Sequence, residues 1–86
     1  MKKRDRMQVI LDFLNFVRRS GERGIRISVL CQKINVSYIM CVEYSGLFIK
    51  NGLIKRENGM FLITEKGNEF LTFVANTKLK IEGYLK

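Results

Sequence analysis

The pair Asn58-Gly59 constrains the fold of this chain more than any other feature of its sequence. It separates two short apolar runs, and Asn-Gly in that setting is the strongest local signal of a β-hairpin closed by a type I′ turn. The first run directly follows Asn51-Gly52, a pair typical of the C-terminal end of a helix. The sequence therefore predicts a helix that passes without a linker into a hairpin over residues 53–63.

The residues before the hairpin have the order of a helix-turn-helix. Ser28 is a predicted N-cap for a second helix at about residues 29–34. Asn35-Val36 would form the turn, with the valine packed between the helices, and Ser37 would cap a third helix at about residues 38–51. The residues expected to face inward are Val29, Leu30 and Ile34 on the second helix, and Cys41, Tyr44, Ser45 and Phe48 on the third.

A first helix is predicted at residues 5–19, because apolar side chains recur there every three or four positions. Gly21 is placed to end this helix in the left-handed conformation. The segment at residues 24–27 is partly β-branched and predicts a very short strand that pairs with the hairpin. The apolar stripe of the first helix consists of Met7, Ile10, Leu11, Leu14 and Val17, with Phe13 and Phe16 beside it.

The outward positions of the third helix differ from those of most helices that enter the DNA major groove. Such helices usually present Arg, Lys, Asn, Gln, Ser or Thr to the bases. The apolar side chains of Ile39, Met40 and Val42 could contact the methyl group of thymine. The hydroxyls of Tyr38 and Ser37 could form hydrogen bonds with phosphates. The same surface also suits a protein partner, so both interpretations stay open. The outward positions are Tyr38, Ile39, Met40, Val42, Glu43 and Gly46.

Two glycines, Gly46 and Gly67, fall inside predicted helices. A glycine there costs about 1 kcal/mol relative to alanine. Each therefore indicates that another group approaches the helix backbone closely.

The last helix begins after Thr64, its predicted N-cap, with Glu65 in the favourable first turn. Apolar residues then recur with the 3.5-residue period of a coiled-coil seam, which predicts a homodimer through this helix. The alternative is an intramolecular pair with the first helix. We expect one folding unit, with a winged-helix part at residues 1–64 and a dimerisation helix at residues 65–86. The predicted dimer interface is Phe70, Phe73, Val74, Thr77, Ile81 and Tyr84.

Excess positive charge makes nucleic acid the first partner to consider. The chain has 16 Lys and Arg against 8 Asp and Glu, a formal net charge of +8 on 86 residues. Lys55 and Arg56 on the first hairpin strand would contact DNA phosphates, although cations also protect an exposed sheet edge. Arg18 and Arg19 suit the negative end of the first helix dipole better than a DNA contact. The predicted DNA-binding residues are Arg26, Ser37, Tyr38, Ile39, Met40, Val42, Lys55, Arg56 and Asn58.

Several function classes are not expected for this chain. It has no histidine, no recognisable carboxylate pair and no phosphate-cradling glycine loop, so we predict no enzymatic activity, metal or cofactor. Cys31 and Cys41 lack metal-ligand spacing and are expected to be buried thiols, with a disulfide between them left open. No apolar run is long enough to span a membrane, and the basic N-terminus lacks a cleavage site, so we expect a cytoplasmic, nucleoid-associated protein.

Four motifs resemble those of the small archaeal winged-helix DNA-binding proteins of about ten kilodaltons. Asn-Val-Ser-Tyr at residues 35–38 is similar to the segment that opens the third helix in that family, and Tyr44 follows six residues later. Asn-Gly-Leu-Ile at residues 51–54 is similar to the segment that closes it, and residues 62–71 resemble the start of the dimer helix, with Ile63 inserted before Thr64. The second helix is about three residues longer than in that family. The resemblance implies DNA binding with modest sequence preference, a dimer joined by an antiparallel C-terminal coiled coil, and an archaeal or archaeal-virus source.

These signals together predict an α+β fold, mainly α. It is a winged helix-turn-helix of three helices and a two- or three-stranded wing, followed by a C-terminal dimerisation helix. The function they favour is a dimeric duplex-DNA-binding protein, either a transcriptional regulator or a chromatin-associated factor. The alternative is a winged-helix module that binds another protein.

Overall fold

The computed structural model describes residues 5–84, and it describes side chains for residues 5–77. Four helices and one antiparallel hairpin make up this part of the chain, so the predicted fold class is confirmed. A short 3₁₀ turn at Gly21–Arg23 follows the first helix. The elements in chain order are α1 (Arg6–Arg19), α2 (Ile27–Lys33), α3 (Tyr38–Lys50), β1 (Ile54–Glu57), β2 (Met60–Ile63) and α4 (Glu65–Tyr84).

Helix α1 forms the centre of the fold. Its N-terminus is capped by Asp5, whose Oδ1 accepts a hydrogen bond from the Gln8 backbone N–H at 2.7 Å. Phe13, predicted to lie beside the apolar stripe, is instead fully buried, whereas Met7 at the start of the stripe is 50% exposed. Met7 therefore lies outside the core, whereas Ile10 and Leu11, one turn later, pack against it. The buried residues of this helix are Phe13, Leu14 and Val17.

The hairpin has the predicted turn. Asn58 and Gly59 have φ angles of 52° and 77°, as both central residues of a type I′ turn require. Strand β1 pairs with β2 so that Ile54 lies opposite Ile63 and Glu57 opposite Met60. The predicted short strand is a single bridge, in which Ile25 exchanges hydrogen bonds of 3.0 and 2.8 Å with Phe61.

The start of α2 was predicted wrongly. The helix begins at Ile27 with Arg26 at the N-cap position, so Ser28 lies inside the first turn and caps nothing. The bridge of Ile25 to β2 fixes the backbone just before the helix, and the chain turns into α2 at once. This register points Leu30 inward and leaves Val29, predicted to be buried, 42% exposed.

The core joins the four helices and both strands of the hairpin. Phe13 of α1 contacts Phe48 of α3 edge to face, with ring centroids 4.9 Å apart, and also lies 6.2 Å from the ring of Phe61 in β2. Burying each such side chain contributes roughly 1.5–3 kcal/mol. The buried apolar residues are Phe13, Leu14, Val17, Leu30, Ile34, Cys41, Phe48, Ile54, Phe61 and Leu71.

The start of α4 is tied to the end of α3. The Thr64 hydroxyl donates to the Gly52 carbonyl and accepts from the Gly67 N–H at 3.0 Å, which confirms Thr64 as the N-cap. The predicted close packing at Gly67 is also confirmed. A Cβ there would overlap the Leu53 carbonyl oxygen and lie 2.7 Å from Cδ1 of Ile63. Leu71, one turn later, is buried in the core and anchors α4, which packs against α1.

Candidate nucleic-acid interface

The turn between α2 and α3 sets the angle at which α3 leaves the core. Asn35 has a positive φ of 56°, a conformation that asparagine tolerates better than most residues. The Val36 N–H donates to the Cys31 carbonyl at 3.0 Å, and the valine side chain packs against the core as predicted. Ser37 then caps α3 through its hydroxyl, which accepts from the Met40 N–H at 3.3 Å. The predicted helix-turn-helix geometry is therefore present.

One face of α3 is fixed by the core. Cys41, Ser45 and Phe48 are buried, and the Ser45 hydroxyl donates to the Val42 carbonyl at 2.8 Å. Tyr44 is half-buried, and its ring stacks on that of Phe48 with centroids 5.8 Å apart. The inner face of α3 is therefore the predicted one, and the helix ends one residue earlier than expected, at Lys50.

The exposed part of α3 carries the predicted groove-contacting residues. All are exposed, and Ile39 is the most exposed of them at 72%. They lie along the first two turns of the helix, beside the capping Ser37. The structure thus brings together Ser37, Tyr38, Ile39, Met40 and Val42.

The hairpin carries the predicted cationic contacts. Lys55 and Arg56 are both exposed on β1, although Lys55 Nζ lies 3.2 Å from a carboxylate oxygen of Glu57. The Arg56 guanidinium lies over the Phe61 ring, 5.9 Å from its centroid, which holds it on one side of the hairpin. Asn58 is exposed at the tip.

Arg26 connects the helix-turn-helix to the hairpin. It is exposed at the N-cap position of α2, directly after Ile25, which is bonded to Phe61 of β2. The bridge therefore fixes the backbone of Arg26 close to the hairpin. Among the side chains of residues 5–77, the Arg26 guanidinium has no hydrogen-bond or ion-pair partner, so it can contact an external anion.

The full sequence matches the winged helix-turn-helix family over residues 3–82. The chain belongs to the winged helix-turn-helix family. A crystal structure of a multiple antibiotic-resistance repressor (MarR) from Listeria monocytogenes has the same fold, with a TM-score of 0.68 and 17% sequence identity. The similarity covers 91% of this chain and 59% of the repressor, so this chain spans about three-fifths of the length of that protein. No curated protein sequence matches the chain.

The predicted dimer seam of this winged helix lies on α4, and the structure describes four of its side chains. Phe70 is half-buried against the core and Val74 is half-buried, while Phe73 is 68% exposed. Thr77 is exposed and donates its hydroxyl proton to the Phe73 carbonyl at 2.9 Å. The side chains of Ile81 and Tyr84 lie outside the described part.

Two features of the structure were not predicted from the sequence. Leu71 is the α4 residue that enters the core, and its only signal was its position one turn after the closely packed Gly67. An open groove of about 290 Å³ also runs along the side of α3 next to the N-terminus of α1. No apolar repeat within one element predicts this groove, because it forms between two helices. Its lining consists of Arg6, Met40, Glu43, Tyr44 and Leu47.

The two cysteines lie on adjacent helices of the helix-turn-helix and are free thiols. Cys41 is buried as predicted, whereas Cys31 is only half-buried and donates to the Ser28 carbonyl at 3.3 Å. Burial raises the pKa of the Cys41 thiol from 9.0 to about 11, and the neighbouring Cys31 thiol adds to that shift. The Cys41 thiol is therefore a poor nucleophile at neutral pH.

Within the described residues, no cluster of three or more His, Cys, Asp or Glu side chains is placed to hold a metal ion. Residues 5–84 also contain no helix that combines the length and the apolarity needed to span a bilayer.

Proposed function

We propose that this winged helix binds duplex DNA as a transcriptional regulator or chromatin-associated factor, with α3 in the major groove and the hairpin on the backbone. The observation that carries the proposal is the arrangement of exposed groups. A capped helix N-terminus at Ser37 and the exposed cations Lys55 and Arg56 belong to one helix-turn-helix and wing. The fold shared with a bacterial repressor adds support.

Electrostatic attraction supplies most of the affinity in this proposal. Cations that contact phosphates release condensed counterions, and this term does not depend on base sequence. Arg26, Lys55 and Arg56 are exposed and lie on elements joined by the bridge between Ile25 and Phe61. We expect them to contact phosphates and to set the register of the protein on the duplex.

Helix α3 contributes apolar contacts rather than a set of hydrogen bonds to base edges. The side chains of Ile39, Met40 and Val42 suit the methyl group of thymine, which only A·T pairs present in the major groove. The Tyr38 hydroxyl suits a phosphate oxygen. The expected sequence preference is therefore weak and biased towards A·T pairs.

The proposal includes a homodimer through α4. Phe73 is exposed and Val74 is half-buried on the side of α4 that carries the 3.5-residue repeat. A two-fold dimer of this kind presents two α3 helices to half-sites separated by about one turn of the duplex, roughly 34 Å, or a multiple of it.

The salt dependence of DNA binding tests the main proposal. Lys55→Ala with Arg56→Ala should weaken binding and lower the slope of log affinity against log salt by about 2 for each chain. Each lost phosphate contact means that about one counterion fewer is released on binding. Arg18→Ala with Arg19→Ala is the matched control, because it removes two charges from the end of α1. Fluorescence anisotropy with a labelled duplex gives both slopes. No measurable affinity at low salt, or equal slopes for both variants, would refute the proposal.

The dimer has a separate test. Val74→Glu with Ile81→Glu should convert the dimer to a monomer in sedimentation velocity at low micromolar concentration, because charges in a seam are desolvated without partners. Thr72→Glu with Asn76→Glu adds the same charge on another side of α4 and should leave the mass unchanged. An unchanged mass for the first variant contradicts the seam.

A second candidate function is a protein-binding module, and the apolar outer surface of α3 favours it. Measurable association with a protein together with no duplex affinity at low salt would support this candidate over the first. The two candidate functions depend on different side chains. DNA binding depends on the hairpin cations, whereas protein binding depends on the apolar side chains of α3.

A further inference from the structure

The outward surface of α3 is unusually apolar for an exposed helix. Of nine large apolar side chains that are exposed between residues 5 and 77, six belong to this one helix. A helix that is apolar on all sides is normally buried. In the described chain only one side of α3 is covered. The six residues are Tyr38, Ile39, Met40, Val42, Leu47 and Ile49.

The charge on α3 also differs from that of the whole protein. The chain carries a net charge of +8, yet Glu43 and Lys50 are the only charged residues of α3 and their charges cancel. Both are exposed, and neither forms an ion pair with the side chains described for residues 5–77. A neutral apolar surface repels a second copy of this basic protein less than any cationic part of it would.

Gly46 occupies the middle of this surface. Among the described residues, no other group lies within 4 Å of the position that a Cβ would take, so nothing in that part of the chain requires a glycine there. Glycine weakens a helix relative to alanine. Its absent side chain leaves the α3 backbone open to close approach by another helix.

Glu43 precedes Gly46 by three residues and Lys50 follows it by four, so the three lie on one face of the helix with Ile39. In an antiparallel pair of α3 helices that cross at Gly46, the turn before the glycine faces the turn after the partner's glycine. Each Glu43 then lies beside the Lys50 of the second copy. The surface is thus complementary to itself in charge, as a two-fold interface requires.

We propose that the outer face of α3 is a self-association surface, on which the α3 helix of a second copy packs antiparallel about Gly46. One face of a 13-residue helix is small, so the contact belongs to the weak, reversible class. The surface is distinct from the seam on α4. The proposed function also places α3 in the major groove of DNA. If that proposal holds, self-association and DNA binding use the same surface and exclude one another.

A charge exchange tests this arrangement in the full-length chain. Sedimentation velocity is measured from about 5 µM to about 500 µM, a range that brackets a weak interface. Glu43→Lys should weaken the association about tenfold or more, because like charges meet across the contact, and Glu43→Lys with Lys50→Glu should restore it. The control Glu22→Lys makes the same charge change on the 3₁₀ turn and should leave the association unchanged.

The expected signature is a halving of the mass at high concentration, from tetramer to dimer if α4 also dimerises and from dimer to monomer if it does not. No concentration dependence in the unmodified protein would overturn the proposal. Failure of the double variant to restore association would also overturn it.

Gly46→Leu provides an independent variant. Leucine favours a helix more than glycine does, and its Cβ would meet no other described group within 4 Å. It should abolish the association while circular dichroism shows that the helical content is kept. An unchanged association would contradict the crossing at Gly46.

Addition of a DNA duplex to the unmodified protein should dissociate the α3 pair. If the duplex does not bind at all, the proposed function fails, while the sedimentation results still decide the self-association.

Discussion

The start of α4 and the middle of α3 each contain a helical glycine, and the two sites are opposites. At Gly67 the backbone of α4 touches the Leu53 carbonyl and the Ile63 side chain, so there is no room for a Cβ. At Gly46 the same position faces open space. The fold of one chain explains the first glycine and leaves the second unexplained. The comparison separates a residue that serves the fold from one that serves a contact outside it.

The largest effect is expected at Gly67. Gly67→Ala should destabilise the protein by more than about 3 kcal/mol, because the new methyl group overlaps a backbone oxygen that cannot move without breaking the cap of α4. The Leu53 carbonyl also accepts the Thr64 N–H at 3.2 Å, so any shift is felt there too. Urea unfolding followed by circular dichroism measures the loss. A change of less than 1 kcal/mol in the free energy of unfolding would show that this junction is not rigid.

A second pair of substitutions extends the comparison to large side chains. Leu71→Ala should cost about 2–5 kcal/mol, because it leaves a cavity between α4 and α1. Ile39→Ala removes a similar volume from the outer face of α3 and should change the free energy of unfolding by less than about 0.5 kcal/mol. Both are measured at low protein concentration, so that association does not contribute. Equal costs would mean that Ile39 is covered within one chain.

The inner face of α3 gives a smaller, pH-dependent effect. The pKa of Cys41 is 9.0 when exposed and about 11 in the folded protein, so the folded state holds this proton more tightly. The resulting stability is complete below about pH 9 and is lost as the pH rises from 9 towards 11. Each unit of difference in pKa corresponds to about 1.4 kcal/mol. Urea unfolding across this range should show a steeper decline than in Cys41→Ala, and parallel curves would contradict the assignment.

The smallest expected effect is a gain. Gly46→Ala should raise the free energy of unfolding by about 1 kcal/mol at low protein concentration, because alanine favours the helix and nothing obstructs its methyl group. Thermal unfolding at low and high concentration measures it. A loss of stability at low concentration would mean that the open space beside Gly46 is filled in the monomer.

Local signals predicted most of the fold correctly. The caps at Ser37 and Thr64 and the Asn58-Gly59 turn each depend on a few adjacent residues, so the sequence alone identifies them. The inner face of α3 also followed from helical spacing, through Cys41 and Phe48.

Contacts between distant segments explain what was missed. Helix α2 has only two turns, and its register is set by the bridge from Ile25 to Phe61, 36 residues later in the chain. Phe70 and Leu71 are adjacent and both apolar, and the contact of Gly67 with Leu53 decides which of them enters the core. The candidate site shows a further limit. Its partners lie outside the chain, so the residues assigned to DNA and to the dimer stay predictions.

The way in which the hairpin is attached has a consequence for how such proteins can change. The Thr64 hydroxyl and backbone N–H bind the carbonyls of Gly52 and Leu53, so both ends of the hairpin are clamped at one point. At the exposed tip, no other described group lies within 4 Å of the position that a Cβ of Gly59 would take. The base of the hairpin is fixed, because Phe61 is buried and bonded to Ile25, but the segment beyond the Arg56–Phe61 pair can vary in length while the body stays the same. There, one residue added to each strand would reverse the faces seen at the tip, whereas two on each strand would restore them and carry the tip farther out.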